Sequence, residues 1–365
     1  MAITFLYMLS ATLLYLSSVS NACPPSDRAA LLAFRAALDE PHLGLFNSWK
    51  GTDCCHKWYG ISCDPGTHRV TSINFQAEAV DAISETGFRT GFMTGSISPQ
   101  ICKLTELSTL TMADWKGISG SIPPCVGSLS RLRILNLMGN KLAGNIPAGI
   151  GRLRLLTVLN AAFNQISGEI PPSLTNLTSL THLDLRNNLI SGKIHKNFGE
   201  LKKLGRVLLS NNNLIGAIPS SISQIYRLSE LDLSANRFSG QIPPFLGKME
   251  VLATLNLDGN RFSGAIPATL ISSSVSVLNL SRNGVDGEIP DAFGPRSYFM
   301  VMDLSYNKLR GKIPTSISSA AYIGHLDVSR NHLCGPIPAG PPFDHLDEDS
   351  FVGNDCLCGK PLMGC

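Results

Sequence analysis

One asparagine recurs with an almost constant period: Asn140, Asn164, Asn188, Asn212, Asn236, Asn260, Asn283, Asn307 and Asn331 stand 24 residues apart, with a single interval of 23. A stack of equivalent units produces such spacing; a packing of unrelated elements does not. Around each Asn the residues follow LxxLxLxxNxLxGxIP, as in Leu228, Leu231, Leu233, Asn236, Phe238, Gly240, Ile242 and Pro243. One unit cannot cover its own apolar positions. Its neighbours must, at roughly 1.5–3 kcal/mol for each Leu or Ile buried. The length, which by itself would suit two ordinary domains, therefore reads as one elongated array with one continuous core.

The Leu-x-Leu segment is predicted to be a short strand, and stacking sets these strands about 4.8 Å apart in a parallel sheet along a concave wall. The Asn then turns inward, where its amide satisfies backbone groups of adjacent turns. Gly permits the tight bend, and the Pro after Ile opens an extended segment with no N–H to leave unpaired. His195 replaces that Pro once. The expected fold is an α/β leucine-rich-repeat solenoid, a curved right-handed array of roughly ten to eleven repeats over 70–333. Equivalent strand positions Ile73 and Leu110 are 37 residues apart, so the first repeat carries an insertion near 76–94 containing Phe88, Arg89, Phe92 and Met93. It reads equally as a clamp on a ligand or as a flap over the sheet edge.

A solenoid needs caps at its ends. At 23–69 a helix from Ser26 through Leu38, with Leu31, Phe34 and Leu38 on one face, precedes a Cys-rich knot, and 334–365 holds a second Cys cluster. The ten cysteines read as disulfides: Cys23 with Cys54, Cys55 with Cys63, Cys334, Cys356, Cys358 and Cys365 in order, and Cys102 with Cys125 across neighbouring turns. Zinc on Cys54, Cys55, His56 and Cys63 is the rival use of the first cluster. Disulfides fit the preceding segment, since residues 1–22 form an uncharged apolar run with Ser20 and Ala22 placed as at a cleavage site, which predicts a secretory signal peptide. The segment lacks a Lys or Arg near Met1, so a retained anchor is its alternative. After Ala22 no run approaches the roughly 20 apolar residues of a membrane span. The expected location is the extracellular space or cell wall.

In each strand, alternation turns three side chains outward: before the first Leu, between the two, and after the second. The middle column is Asn136, Asn160, Asp184, Leu208, Asp232, Asn256, Asn279, Asp303 and Asp327. The first column reads Ile134, Val158, His182, Arg206, Glu230, Thr254, Val277, Val301 and His325. Regular Asn, Asp and Ser are background. The departures gather in one stretch, where Ile134, Met138, Val158 and Leu208 offer an apolar patch beside His182, Asp184, Arg186, Arg206, Glu230 and Asp232. That is the expected ligand surface, against the bland reading of an ordinary solvated sheet face. His182 either titrates in an acidic fluid or is incidental. Glycosylation sequons begin at Asn176, opposite the sheet, and at Asn279, within a strand, where a glycan would obstruct the concave face.

The Asp53-Cys-Cys-His-Lys-Trp-Tyr-Gly-Ile-Ser-Cys63 knot, the Ser-Gly-x-Ile-Pro repeats and the closing Leu-Cys-Gly segment resemble the plant extracellular leucine-rich-repeat class. Within it, residues 89–99, 101–103 and 113–120 resemble the DNA-damage-repair/toleration type, and polygalacturonase-inhibiting proteins are similar in caps and repeat. The resemblance implies recognition of a protein, peptide or cell-wall ligand in defence or stress signalling, with a receptor-kinase ectodomain or a secreted polygalacturonase as partner. Enzyme inhibition is one alternative, and a role in DNA-damage toleration another. Lys and Arg are scattered under a formal net charge of +3, so no nucleic-acid partner is expected. No catalytic motif of the HExxH, GxSxG or P-loop type occurs, and neither an enzyme nor a cofactor is expected.

Overall fold

The computed structural model describes residues 23–76, 91–340 and 343–365; the expected signal segment, Phe88 and Arg89 lie outside them. Each Leu-x-Leu unit forms a short strand whose Leu is buried, as at Leu183, Leu231 and Leu255. These strands join a twelve-stranded sheet that runs in sequence order from Ile61–Cys63 to Leu326–Asp327. Within this sheet, among the described residues, only the pairing of Ile61–Cys63 with Val70–Gln76 is antiparallel. The register brings the outward columns into line: His182 lies opposite Val158 and Arg206, and Arg206 opposite Glu230.

The stretch after each Asn, anticipated only as a bend and an extended segment, forms a second sheet of ten strands from Ala143–Asn145 to Cys356–Cys358. The apolar residue two places after the Asn drives it, since Leu142, Ile166, Ile190, Leu214 and Phe238 are all buried. The chain turns from one sheet to the other through a residue in the left-handed region, such as Asn187 at φ 54° or Tyr306 at φ 53°. Across the core from both sheets, short 3-10 turns such as Pro172–Asn176 stack closely. A Cβ at Gly151 or Gly199 would collide with the carbonyl of Ser173 or Ser221 in the next turn.

The N-terminal helix spans Pro25–Arg35 and stops short of the expected Leu38. The chain leaves it to pair instead: Leu38–Asp39 runs antiparallel to Met93–Ser96, and the Ser96 N–H donates to the Ala37 carbonyl at 3.0 Å. Met93, read from the sequence as part of the insertion, is thus a buried strand residue, and Gln76 closes the first repeat strand. Buried Asp27 fastens the cap by accepting from Arg69 Nε at 2.9 Å and from the Val70 N–H at 3.0 Å. Behind it Trp49 stacks on Trp58. Disulfides join Cys23 to Cys54, Cys55 to Cys63, Cys102 to Cys125, Cys334 to Cys356 and Cys358 to Cys365. Cys54, Cys55 and Cys63 lie close enough to suggest a metal cluster, but all three sulfurs are spent in these bonds. Among the described residues no helix is long and apolar enough to cross a membrane.

Candidate functional site

The concave face has to be stripped of what the fold itself uses. Asn212 is typical of the asparagine row: its Nδ2 donates to the carbonyls of Leu185, Leu209 and Ser210 at 2.9–3.2 Å, while its Oδ1 accepts from the Ile190 N–H at 2.9 Å. One amide thereby satisfies groups of two repeats at the gap between the sheets, where water cannot reach. The row is longer than the nine residues the period revealed. Asn354 makes the same bonds inside the C-terminal cap, to Val328, Phe351 and Leu333. At the other end Trp115 takes over, its indole N–H donating to the Phe75 carbonyl at 2.9 Å.

The middle column is also largely structural. Asp232 Oδ1 accepts from the Ser234 N–H at 3.0 Å and from its hydroxyl at 2.7 Å, a turn that closes the strand exit. Asn136, Asn160, Asp184, Asn256, Asn279, Asp303 and Asp327 each accept from the N–H two residues on in the same way. The third column sits at that exit and is buried wherever it is small, as at Ala162, Ser210, Ser234, Ser305 and Ser329.

Against that background, the residues singled out from the sequence separate into three groups. Ile134, Val158 and His182 are half-buried and in register on the face, and Met138 takes a hydrogen bond at Sδ from Asn160 Nδ2 at 3.4 Å. Arg206 and Glu230 form an ion pair at 2.6 Å across adjacent strands. Asp184 and Leu208 depart from expectation: both lie on the concave face yet are only 1% exposed. For Asp184 the cause is Arg186, which folds back so that Nη2 meets Asp184 Oδ2 at 3.1 Å and the guanidinium lies over the exposed Phe163 ring. Leu208 sits in register between Asp184 and Asp232 and is likewise shut off from solvent. Alternation fixes the side of the sheet, not whether a long neighbour covers it.

Electrostatics follow the packing. Burial, and then the Arg206 charge, push the His182 imidazole below its usual range, with Asp184 and Glu230 opposing. Burial raises the Asp184 carboxyl, opposed by the Arg186 N–H and guanidinium. This arrangement can offer charge, hydrogen bonds and apolar contact to a ligand. Of the two sequons, Asn176 is exposed on a 3-10 turn away from the sheets, while Asn279 is half-buried in a concave strand with Oδ1 held by the Ser281 N–H and hydroxyl.

Comparison with known proteins gives a consistent picture. The family described as leucine rich repeat N-terminal domain matches residues 24–64, a two-copy leucine rich repeat family matches 154–203, and single leucine rich repeats match 131–153, 227–249, 274–295 and 299–320. The DNA damage-repair/toleration protein DRT100 of Arabidopsis thaliana is 54% identical over 143 residues, which are 39% of this chain and 38% of that protein. A polygalacturonase inhibitor of Vitis vinifera is 32% identical over 140 residues, 36% of this chain and 37% of the inhibitor. The chain thus matches less than two fifths of the length of either relative. Among solved structures, a plant ice-binding protein is 28% identical with a TM-score of 0.69, covering 94% of this chain and 98% of that one. The Arabidopsis receptor kinase HAESA, crystallised with the peptide hormone IDA and the co-receptor SERK1, is 28% identical with a TM-score of 0.71, over 92% of this chain and 59% of that one.

Proposed function

The chain is a leucine-rich-repeat protein, and from that premise we propose that it is a secreted recognition protein that binds a protein or peptide on the concave face, in plant defence or stress signalling. The observation that carries the reading is the run of His182, Arg206 and Glu230 in register on consecutive strands, flanked by Arg186 over Phe163, where the first column is otherwise mostly Ile, Val and Thr and the other two mostly Asn, Asp and Ser. Secretion is supported by the ten cysteines, all paired, which suit an oxidising compartment. A glycan at Asn279 would leave the free surface toward the N-terminal repeats, where the patch lies; peptide mass spectrometry of the secreted protein tests it. Capture from extracellular fluid with the mature chain, beside an Arg206→Ala/Glu230→Ala variant, tests the binding surface. The variant should lose the captured partner and keep the thermal midpoint, since neither side chain packs in the core; equal capture by both refutes the site.

The likeness to polygalacturonase inhibitors favours one other reading, inhibition of a secreted polygalacturonase, decided by an inhibition assay with purified protein. Carrying over the DNA damage-repair/toleration role in the name of the 54% identical relative would require a different location. Tagged protein in the nucleus or plastid, with none outside the cell, would establish that location and overturn secretion.

A further inference from the structure

The two long sheets leave one flank of the solenoid uncovered. The second sheet lies where the concave strands end; where they begin, the described residues form only the short pairing of Tyr298–Phe299 with Tyr322–Ile323. Each unit enters its strand through a buried apolar residue eight places before the Asn, such as Leu132, Leu228 or Ile323, and alternation turns the residues on either side of it outward. Backbone bonds hold these units in line: the Arg133 N–H donates to the Ser108 carbonyl at 2.7 Å, Thr157 to Arg133 at 2.8 Å, and so on to Met300, which donates to Ser276 at 2.8 Å. The row runs on into the C-terminal cap, where buried Leu346 holds the same place before Asn354 and His345 Nε2 meets the Gly324 carbonyl at 3.0 Å.

Stacking sorts along this flank charges that are scattered in the sequence. Its outward cations, Arg131, Arg133, Lys203 and Arg227, are exposed and all lie in the N-terminal half. From Val251 to Gly324 the same places carry only small residues, apolar residues and tyrosines; Tyr298, Met300 and Tyr322 are exposed, and the two rings stack at 5.1 Å. At the cap the row turns acidic, with Asp344, Asp347 and Glu348 exposed around Leu346. Of these charges, only Arg131 has an ion-pair partner among the described residues, Glu106 at 3.7 Å.

We propose that this flank docks a second copy of the chain, antiparallel, about a two-fold axis between the units of Asn236 and Asn260. The Asn140 unit then overlies the partner's cap, with Arg131 and Arg133 against Asp347 of the partner subunit. Arg154 and Leu155 meet the partner subunit's Tyr322, and beside the axis Arg227 meets the partner subunit's Glu250. A two-fold contact makes each pair twice, so a single gradient from basic to acidic satisfies both halves of the interface. At about 4.8 Å per unit and the width of one turn, the shared edge measures about 45 by 15 Å, or about 700 Å² per protomer. A specific interface takes roughly 800 Å² per partner, so the dimer is a modest one, and exposed charge pairs at its ends make it salt-sensitive. It leaves the concave face open.

Sedimentation velocity of the full-length mature protein over roughly 1–100 μM, at low and high salt, tests this. A dimer should form with rising concentration and dissociate as salt is raised. Arg133→Glu and Asp347→Arg each bring like charges together at both ends and should weaken association at least about tenfold. Mixing the two variants should restore it, because each protomer then offers the charge that the other's reversal calls for; a parallel packing would gain nothing from the mixture. Tyr322→Ser, which alters no charge, should also weaken the dimer. These side chains are exposed, and unchanged thermal midpoints show that the variants fold. A chain that stays monomeric throughout, one that grows beyond a dimer, or a mixture no tighter than either variant alone overturns the proposal. The Arg206→Ala/Glu230→Ala variant should dimerise as the parent does while losing its captured partner, so the flank and the concave face fail separately.

Discussion

Replacing Asn212 with Ala removes one acceptor, used by the buried Ile190 N–H, and two amide hydrogens shared among the carbonyls of Leu185, Leu209 and Ser210. Each buried group left unmet costs about 1–3 kcal/mol, with carbonyls toward the lower end, so the sum is about 3–5 kcal/mol. At an unfolding entropy of about 2.1 cal/mol/K per residue, a cooperative solenoid of this size has about 0.7 kcal/mol/K, and the midpoint should fall by about 4–7 °C. Asn140 provides the internal control. Its Nδ2 makes the equivalent donations to Met112, Leu137 and Met138, but its Oδ1 is buried without a donor, because it stands where the asparagine row gives way to Trp115. Asn140→Ala should therefore be milder than Asn212→Ala by about 1–3 kcal/mol, the cost of a single buried N–H. Scanning calorimetry gives the two midpoints, and hydrogen exchange supplies a local readout: Ile190 should lose protection in Asn212→Ala while Leu142, held by Asn164 Oδ1 at 2.9 Å, keeps it. An Asn140→Ala variant as unstable as Asn212→Ala, or an Ile190 amide still protected in Asn212→Ala, would refute the assignment of separate work to the two ends of the amide.

Asp27→Ala should destabilise by about 2–4 kcal/mol, less than for a wholly buried pair because Arg69 is partly exposed and can return to water; denaturant unfolding followed by Trp fluorescence reports it, since Trp49 and Trp58 lie in the same cap. Trp115→Phe leaves the Phe75 carbonyl without its donor and should cost about 1–2 kcal/mol by the same measurement. Gly199→Val forces a methyl-bearing carbon against the Ser221 carbonyl and should lower the midpoint further than Gly294→Val, where nothing lies near the added carbon. His182 has a folded-state value depressed below its unfolded one, so its contribution to stability is present above about pH 6.5 and is lost as pH falls through the folded value. Arg206→Ala should raise the His182 titration midpoint seen by NMR and Glu230→Ala should lower it; equal midpoints in both variants would mean that the two charges do not act on the ring.

What the sequence disclosed and what it withheld follow from where each constraint acts. The asparagine row and the buried Leu of the concave strands are legible because every repeat needs the same atom at the same place, so periodicity alone exposes them. Trp115 and Asn354 do the same work but are not legible in the period, Trp115 because an indole N–H is a chemical substitute that no asparagine count detects, and Asn354 because it lies among the cap cysteines. The second sheet was hidden for another reason: its strands are held by backbone bonds between repeats, which accept many side chains, and only the single buried residue after the Asn is constrained. The candidate site is intermediate. The columns place His182, Arg206 and Glu230 on one face, whereas the covering of Asp184 depends on Arg186 lying back across the strand it leaves, a three-dimensional choice that alternation does not encode. That difference ranks the site residues. On the proposed reading a ligand would meet Arg206, Glu230 and Phe163 as they stand, but would reach Asp184 or Leu208 only by displacing Arg186 and its neighbours. Single substitutions at the first three should thus change affinity without changing the shape of the free protein, and those at Leu208 or Arg186 should alter both.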